Sequence, residues 1–596
     1  MFSFLLLFSS LLLILFPKKE ELKIDNTNDF YSLIFSSFCL SQFFLGAISL
    51  FLISVNLAKF NTIFISLIVL IFTLIFQKEF LKKYFQIYNF LIFEKNLIIQ
   101  KGSKNKFFKI VNVLILVFTI LLIFSSIGPI NHPDAADYHV GYPFQFFKKG
   151  GFFVDGSYHQ GLLGIADYAN LSFIQENNIW LIRLFQIINL PILVLFLSRK
   201  IENNIFLLAF ITTPTFVQWS TLGKPLFLGE SCLIVIFLIW KNNKTEYNFR
   251  LLITTIIATI AFKISSLIIS FTIFLDILLL LKDNKVRKIY LNYFKNLLSN
   301  KLFLLSCFIF FSLLVNRYIV TDNFFYPLLT DLFNSNDKLL NVFSESLRNY
   351  QRDGLFPFNI FIVTSLSDLN SLGPDILLII IFICFRYKKR FYPFINDNLT
   401  FIGILQLILL ILFAQGRADY YVAPLILFIS QTNIISDFLN RNKFRLLFIF
   451  TIFFQVLFLF LFLSVSIFQN INLISSYEKN MNEFAYGYNA SKIFNSNYPG
   501  RTLFTGRNTR LYFKAEYLDI DLMNKCVELN KLNGLKNIQK ICLDKYKVNQ
   551  IIASPSYLRA NNEFICQEIK LLNSSRNPFN RNTQKQSYCA RKKLIE

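Results

Sequence analysis

The chain has 596 residues, of which 54% are apolar, 17% aromatic and only 16% charged. Apolar runs recur along most of its length, which excludes a water-soluble multidomain protein and describes a polytopic membrane protein whose backbone is satisfied as helices within lipid. The formal charge of +24 would suit nucleic acid, but the bases lie in short segments between apolar runs and in the C-terminal tail. Topology accounts for them there, and no nucleic-acid partner is expected. The 74 Phe residues come with many Ile, Asn and Lys, a mixture that AT-rich coding produces by itself.

Residues 2–16 lack a basic leader, and Pro17-Lys18-Lys19 stands where a signal peptide would have small residues, so an uncleaved first span is expected. Further spans are predicted near 31–56, 61–77, 108–128, 179–198, 205–218, 226–241, 249–263, 266–281, 302–319, 374–386, 399–414, 420–436 and 446–469, about fourteen in all. Lys78, Lys82, Lys83, Lys95, Lys101, Lys104, Lys106 and Lys109 place the connection before the fourth span in the cytoplasm. Lys282, Lys285, Arg287 and Lys288 lie on the same side, as do Arg386, Lys388, Lys389 and Arg390, and Arg441, Lys443 and Arg445. Two long loops, 129–178 and 320–372, then fall outside, together with the tail from about 471.

This gives three regions: N-terminal spans and a basic connection over 1–107, a transmembrane core over 108–470, and a soluble domain over 471–596. The tail loses the apolar runs and carries turn signals at Tyr498-Pro499-Gly500 and Asn533-Gly534, which suggest a small α/β-type domain. The predicted fold is thus an α-helical polytopic membrane protein with amphipathic outer-loop helices and a small extracytoplasmic domain. Cys526, Cys542, Cys566 and Cys589 all lie in that tail. Outside the cytoplasm they predict two disulfides, with three possible pairings; zinc is the rival, without paired C-x-x-C spacing or a nearby His to support it.

The first outer loop concentrates the chemistry. All three histidines of the chain, His132, His139 and His159, lie in it. If Pro133 opens a short helix, Asp134, Asp137 and Tyr138 share one face at i, i+3 and i+4 spacing. Two carboxylates near each other at a low-dielectric surface could have a raised pKa, as a general base requires; the plainer reading is that Asp134 caps the helix and Asp137 is solvated. Lys263 is a cation within an apolar run, for which a partner is expected, unless it snorkels to headgroups. Arg417 and Lys224 are further outer cations, suited to phosphate, although Arg417 could equally pair with Asp419 or Asp322. His159 with Asp155 invites a metal reading, but a hydrogen-bonding role is favoured and no divalent metal is expected.

"DAADYH" followed by "GYPFQFFKKGG" resembles the first-loop motif of the GT-C class of membrane glycosyltransferases, of the polyprenyl-phosphate-dependent mannosyltransferase and aminoarabinose-transferase type. "IIATIAFKISSL" resembles the paired short spans of that class with a Lys at their turn, here Lys263. "NRYIVTDNFFYP" resembles its entry into a second outer loop, with Asn316-Arg317 in swapped order and Asp322 in place of Gly. "AQGRADYYVAP" resembles the late Gln, Arg-Tyr and Pro motif, except that Ala418 and Asp419 separate Arg417 from Tyr420.

The resemblance implies an inverting transferase that moves a sugar from a polyprenyl-phosphate donor to a glycan, lipid or protein acceptor outside the cytoplasm. Asp134 is then the base, with Asp137 raising its pKa or positioning the acceptor, and His139 orienting either carboxylate. Tyr138 and His159 line the substrate site, and Lys263, Arg417 and Lys224 hold the phosphate. No cofactor is implied beyond the lipid-linked sugar, and the implied location is a bacterial inner membrane. The rivals are a transporter or lipid flippase, whose charges belong at midplane in interrupted helices, and a polysaccharide polymerase or ligase.

Overall fold

The computed structural model describes residues 1–15, 27–71, 106–130, 132–333, 338–349, 356–362, 371–388, 398–436 and 442–475. In the tail it describes 501–504, 510–513, 516–532, 538–553, 564–572 and 583–591, with single positions elsewhere. Most of the basic connection between 78 and 105, together with Lys389, Arg390 and Arg441, lies outside the described residues.

The described chain is mainly helical, and its helices follow the apolar runs. Four helical stretches, Asn28–Ser54, Ile179–Lys200, Lys301–Thr321 and Arg445–Phe468, are long and apolar enough to cross a membrane. Shorter apolar helices cover Phe2–Leu12, Ala58–Ile71, Lys109–Ser125, Ile264–Leu280 and Leu399–Phe413. Their outer faces carry exposed Phe308, Phe311, Phe450 and Phe453, as a surface bathed in lipid would.

Helices α1 (Phe2–Ile14), α2 (Thr27–Ser54) and α3 (Lys106–Ser125) precede the first loop. Within the loop lie α4 (Gly141–Lys149) and α5 (Ile165–Tyr168). The core continues with α6 (Phe227–Asn242), α7 (Glu246–Phe262), α8 (Leu267–Leu280), α9 (Lys301–Thr321), α10 (Asn398–Phe413), α11 (Val422–Ser430) and α12 (Asn442–Ser475). Polar residues stop and start them: Thr245 caps α7 through the Asn248 N–H at 3.2 Å, and Asn300 caps α9 through that of Phe303 at 3.1 Å. Gly150 ends α4 at φ +83°, a left-handed position that suits glycine, and its N–H returns to the Phe146 carbonyl at 2.8 Å.

Helix α2 is central. It packs on α1, α6, α7 and the loop helix α5, so the N-terminal span and the first loop share one core. Gly46 makes that possible, because a Cβ there would stand 1.9 Å from the Ile165 carbonyl oxygen. A second close approach follows at once in the loop, where a Cβ on Gly164 would lie 1.8 Å from the Phe262 oxygen at the end of α7. The first loop is thereby seated on the α7–α8 turn.

The tail forms a five-stranded sheet, in the order β2-β1-β3-β5-β4. Strands β1 (Arg501–Phe504), β2 (Tyr517–Asp519) and β3 (Val548–Ala553) run parallel, and β4 (Phe564–Leu572) and β5 (Thr583–Arg591) join antiparallel. Helices α13 (Ile520–Leu532) and α14 (Ile538–Lys545) supply the crossover from β2 to β3, burying Met523, Cys526, Cys542 and Leu543 against Leu503, Val548 and Ile551. Of the two disulfides expected, one is formed among the described residues: it joins Cys526 to Cys542 and ties the two helices together. Cys566 and Cys589 stand opposite each other in the β4–β5 register.

The two glycine environments give a paired test. Gly46→Ala should lower the thermal midpoint of the detergent-solubilised protein, by the ~1–3 kcal/mol expected of an overpacked contact. Gly403→Ala, whose Cβ meets only Phe428 and Leu427 at 3.4–3.6 Å, should leave the midpoint unchanged or raise it. Equal effects of the two would remove the α2–α5 seat from the account.

Candidate functional site

The first loop leaves α3 through Pro129, whose carbonyl accepts from the buried Arg183 guanidinium at 2.8 Å. His132 follows, and its Nδ1 accepts the Asp134 N–H at 3.1 Å. The sequence pattern predicted an α-helical face shared by Asp134, Asp137 and Tyr138. Instead residues Ala135–His139 form a π-helical turn, whose wider pitch turns Asp134 and Asp137 toward different partners.

Asp134 faces the transmembrane core. Its Oδ2 accepts from Lys224 Nζ at 2.7 Å. Gly223, at φ +66° and in contact distance of Ala135, makes the turn that delivers this lysine. Burial pulls the Lys224 ammonium down to about 7, Arg417 and Lys263 push the same way, and Asp134 and Asp419 oppose them.

Lys263 ends α7 in extended backbone, at the turn where the sequence placed it. Its Nζ donates to the Tyr420 hydroxyl at 3.2 Å and lies 4.3 Å from that ring's centre. The Tyr420 hydroxyl in turn donates to Gln415 at 3.1 Å. Among the described residues Lys263 makes no ion pair with a carboxylate. Arg417 does: its Nε and Nη2 reach the two Asp419 oxygens at 2.8 and 3.0 Å, a bidentate fork. Burial works against the charge on both members, but their attraction outweighs it, raising Arg417 and lowering Asp419. Asp419, read in the sequence as one possible partner, is the one Arg417 takes. Arg417 is therefore a held charge with both forks occupied.

The structure thus brings together Asp134, Lys224, Lys263 and Arg417, as the pattern implied. Tyr138 belongs with them, since Asp134, Tyr420, Asp167 and Arg417 all act on its phenol electrostatically. Its ring stacks on His159 at 5.5 Å and tilts against His139 at 4.0 Å.

One expectation is corrected. His139 orients neither Asp134 nor Asp137: its Nδ1 bonds Asp167 Oδ1 at 2.7 Å. Asp167 sits in α5 and also accepts the Gly164 N–H at 2.8 Å, so the seating of the loop on α7 fixes the carboxylate that fixes the histidine. Asp155 and His159 turn to different partners. Asp155 accepts from Tyr142 at 2.7 Å, Tyr517 at 3.2 Å and Arg510 at 3.3 Å, whereas His159 Nδ1 lies 3.9 Å from Asp137. Among the described residues no group of His, Cys, Asp or Glu is arranged to hold a metal ion.

The residue that sequence reasoning missed is Arg510. It comes from the tail and is fully buried, pairing with Asp137 and Asp155 of the first loop and with Asp519 of its own domain. Tyr142 and Tyr517 lie under its guanidinium, at 4.5 and 5.4 Å. Burial opposes this charge, and the carboxylates outweigh burial. Backbone contacts complete the dock: Gln145 Nε2 donates to the Arg510 and Phe513 carbonyls at 2.6 and 2.8 Å, and the Leu511 N–H donates to Ala136 at 3.0 Å. Asp521, at the start of α13, accepts the Tyr158 N–H at 3.0 Å. Gly141 leaves room for this, since its Cβ would come within 2.9 Å of Arg510 Cβ.

No protein-family model and no curated protein sequence matches the chain.

Three carboxylates (Asp137, Asp155 and Asp519) meet one guanidinium in this dock, with Asp521 beside Asp519 and His159 beside Asp137. Burial pushes Asp137 up to about 7 against the pull of Arg510, and burial with Asp519 pushes Asp521 up to about 7. Both groups are thus more basic docked than free. Their contribution is complete below the ordinary carboxylate range and is lost as pH rises through about 7. Protection of the amides at 510–513 and 158, taken relative to their intrinsic base-catalysed exchange, should therefore fall between pH 6 and 8. Arg510→Ala should make exchange fast at both, because an acidic cluster stripped of its cation loses on the order of 3–5 kcal/mol. Protection that is independent of pH and of Arg510 would refute the dock.

Proposed function

We propose that the chain is an integral-membrane glycosyltransferase of GT-C type, taking a sugar from a polyprenyl-phosphate donor to an extracytoplasmic glycan, lipid or protein acceptor. The observation that carries this reading is Lys263, a cation among cations whose hydrogen-bond partner is a phenol and which makes no ion pair among the described residues, Asp419 acting on it only from farther off. Lys224 and Arg417 crowd it but are matched to Asp134 and Asp419. A cation placed in that way calls for an anion, and a lipid phosphate at the membrane surface is one that arrives with its own apolar anchor.

In this reading an acceptor oxygen attacks the anomeric carbon from the side opposite the phosphate. The bond from that carbon to the phosphate oxygen breaks, and its electron pair stays on the phosphate. Lys263 and Lys224 stabilise the charge that grows there. The acceptor's proton goes to a base in the first loop, which the GT-C resemblance places at Asp134. The Asp134–Lys224 pair joins the two halves of the reaction, since it ties the loop to the cation on the leaving group. By the same reading the site and the tail face the outside of a bacterial inner membrane.

Membranes carrying the wild type should transfer label from at least one member of a panel of polyprenyl-phosphate sugars. Asp134→Asn and Lys263→Met should each lose about 10²-fold or more in kcat while still eluting as folded protein. Affinity for a polyprenyl phosphodiester, whose own charge is constant, should depend on pH through Lys224. Bound anion raises the lysine from about 7, so binding takes up a proton. Affinity then rises as pH falls from 9 toward 7, by about tenfold per unit at most. Full transfer by folded Lys263→Met would overturn the phosphate assignment.

A further inference from the structure

His139 is held from one side. The side chain is 3% exposed. Nδ1 bonds Asp167, Asn170 Nδ2 donates to the residue's carbonyl at 2.9 Å, and the Tyr138 ring covers one face. A carboxylate only accepts, so the Asp167 bond places the ring proton on Nδ1. Nε2 then presents a lone pair. It is buried, and no group among the described residues donates to it.

An acceptor buried without a donor costs about 1–3 kcal/mol, a cost that a hydroxyl arriving on a ligand would relieve. The surroundings say what kind of ligand. Lys224 and Lys263 both act on the ring electrostatically, so it lies within reach of the candidate phosphate site. Burial is the largest influence holding the imidazole below its ordinary pKa, and the two lysines add to it against Asp167, which keeps the ring neutral and able to accept. Arg317 backs the dyad from α9, within electrostatic reach of Asp167 and donating to the Leu163 carbonyl at 3.4 Å. Asp134, by contrast, already accepts from the Lys224 ammonium at 2.7 Å.

We propose that His139 Nε2, held in place by Asp167, receives the proton of the acceptor hydroxyl. This rests on the transferase reading and replaces the base that resemblance would choose. The acceptor O–H bond breaks as its oxygen bonds to the anomeric carbon; the proton goes to Nε2, and the phosphate departs with the electron pair of the broken glycosidic bond. The imidazolium so formed is balanced by Asp167 and returns its proton to water after product leaves. Asp134 keeps Lys224 charged and positioned. Asp167 is a positioning residue, and His139 is the group that touches substrate.

The full-length protein in detergent, labelled with ¹⁵N in its histidine rings, gives only three ring systems to assign, by His132→Gln and His159→Gln. His139 should carry its proton on Nδ1 at neutral pH and stay neutral below its ordinary pKa. A ring protonated on Nε2, or charged at pH 7, overturns the proposal even if no His139 variant folds. In the transfer assay, His139→Gln should lower kcat by about 10²-fold with KM for the lipid donor within a fewfold, and its residual rate should climb with pH as hydroxide substitutes. Asp167→Asn should lower kcat by tenfold or more and move the acid limb of the pH profile, which a merely structural residue would not do. Transfer by wild type with an unchanged pH profile in His139→Gln sinks this proton route alone. Absence of transfer from every donor by wild type sinks the transferase reading and the route with it.

Discussion

Buried charge must be matched, and in this protein the match is made between parts of the chain that lie far apart. Arg510 is the clearest case, a guanidinium taken wholly out of water and surrounded by carboxylates from the first loop and from its own domain. Without those carboxylates the arginine could not be buried, and without the arginine the loop would hold repelling acids against the tail. The same rule organises the membrane side of the loop, where Asp134 is set on Lys224 and Asp419 on Arg417. The Asp134–Lys224 pair on one side of the π-helical turn and the Arg510 cluster on the other hold the loop between the core and the tail.

Glycines set the distances over which these pairs can form. Gly46 lets α2 touch α5, Gly164 lets the loop touch the end of α7, and Gly223 turns Lys224 toward Asp134. Each is a close approach of backbone to backbone or a left-handed turn, and Gly164 and Gly223 are each followed within three positions by a residue of the site, Asp167 and Lys224. The ordering runs from packing to chemistry: Gly164 seats the loop, its N–H fixes Asp167, and Asp167 fixes His139.

How much of this was legible follows from the range of each signal. Apolar runs are local, so helices were readable from the pattern. A set of three histidines confined to one loop is a compositional signal, and that loop is the one carrying the candidate site. Lys263 was readable because a charge inside an apolar run stands out, and its place at the end of α7 agrees. The i, i+3 argument for Asp134 and Asp137 assumed α-helical pitch, and a π-helical turn has no signature in five residues of sequence. Asp167 lies 28 residues from His139 and Arg510 lies 373 from Asp137, with nothing periodic to link them. Partners of that kind are chosen by tertiary packing, and a single sequence does not record the choice.

The span between Asp137 and Arg510 also sets a clock. At synthesis rates of roughly 5–20 residues per second, the 373 positions between them take about 20–75 s to make. Over that interval the first loop has left the ribosome while its counter-charge does not yet exist. The acids of the loop must then be neutralised by protons, ions or water, and the dock closes only when nearly the whole chain has emerged. A chain truncated between the end of α12 and Arg510 would keep its cation cluster and its histidine while lacking the guanidinium that fixes Asp137 and Asp155. Completion of the fold is in this sense reported by its last domain.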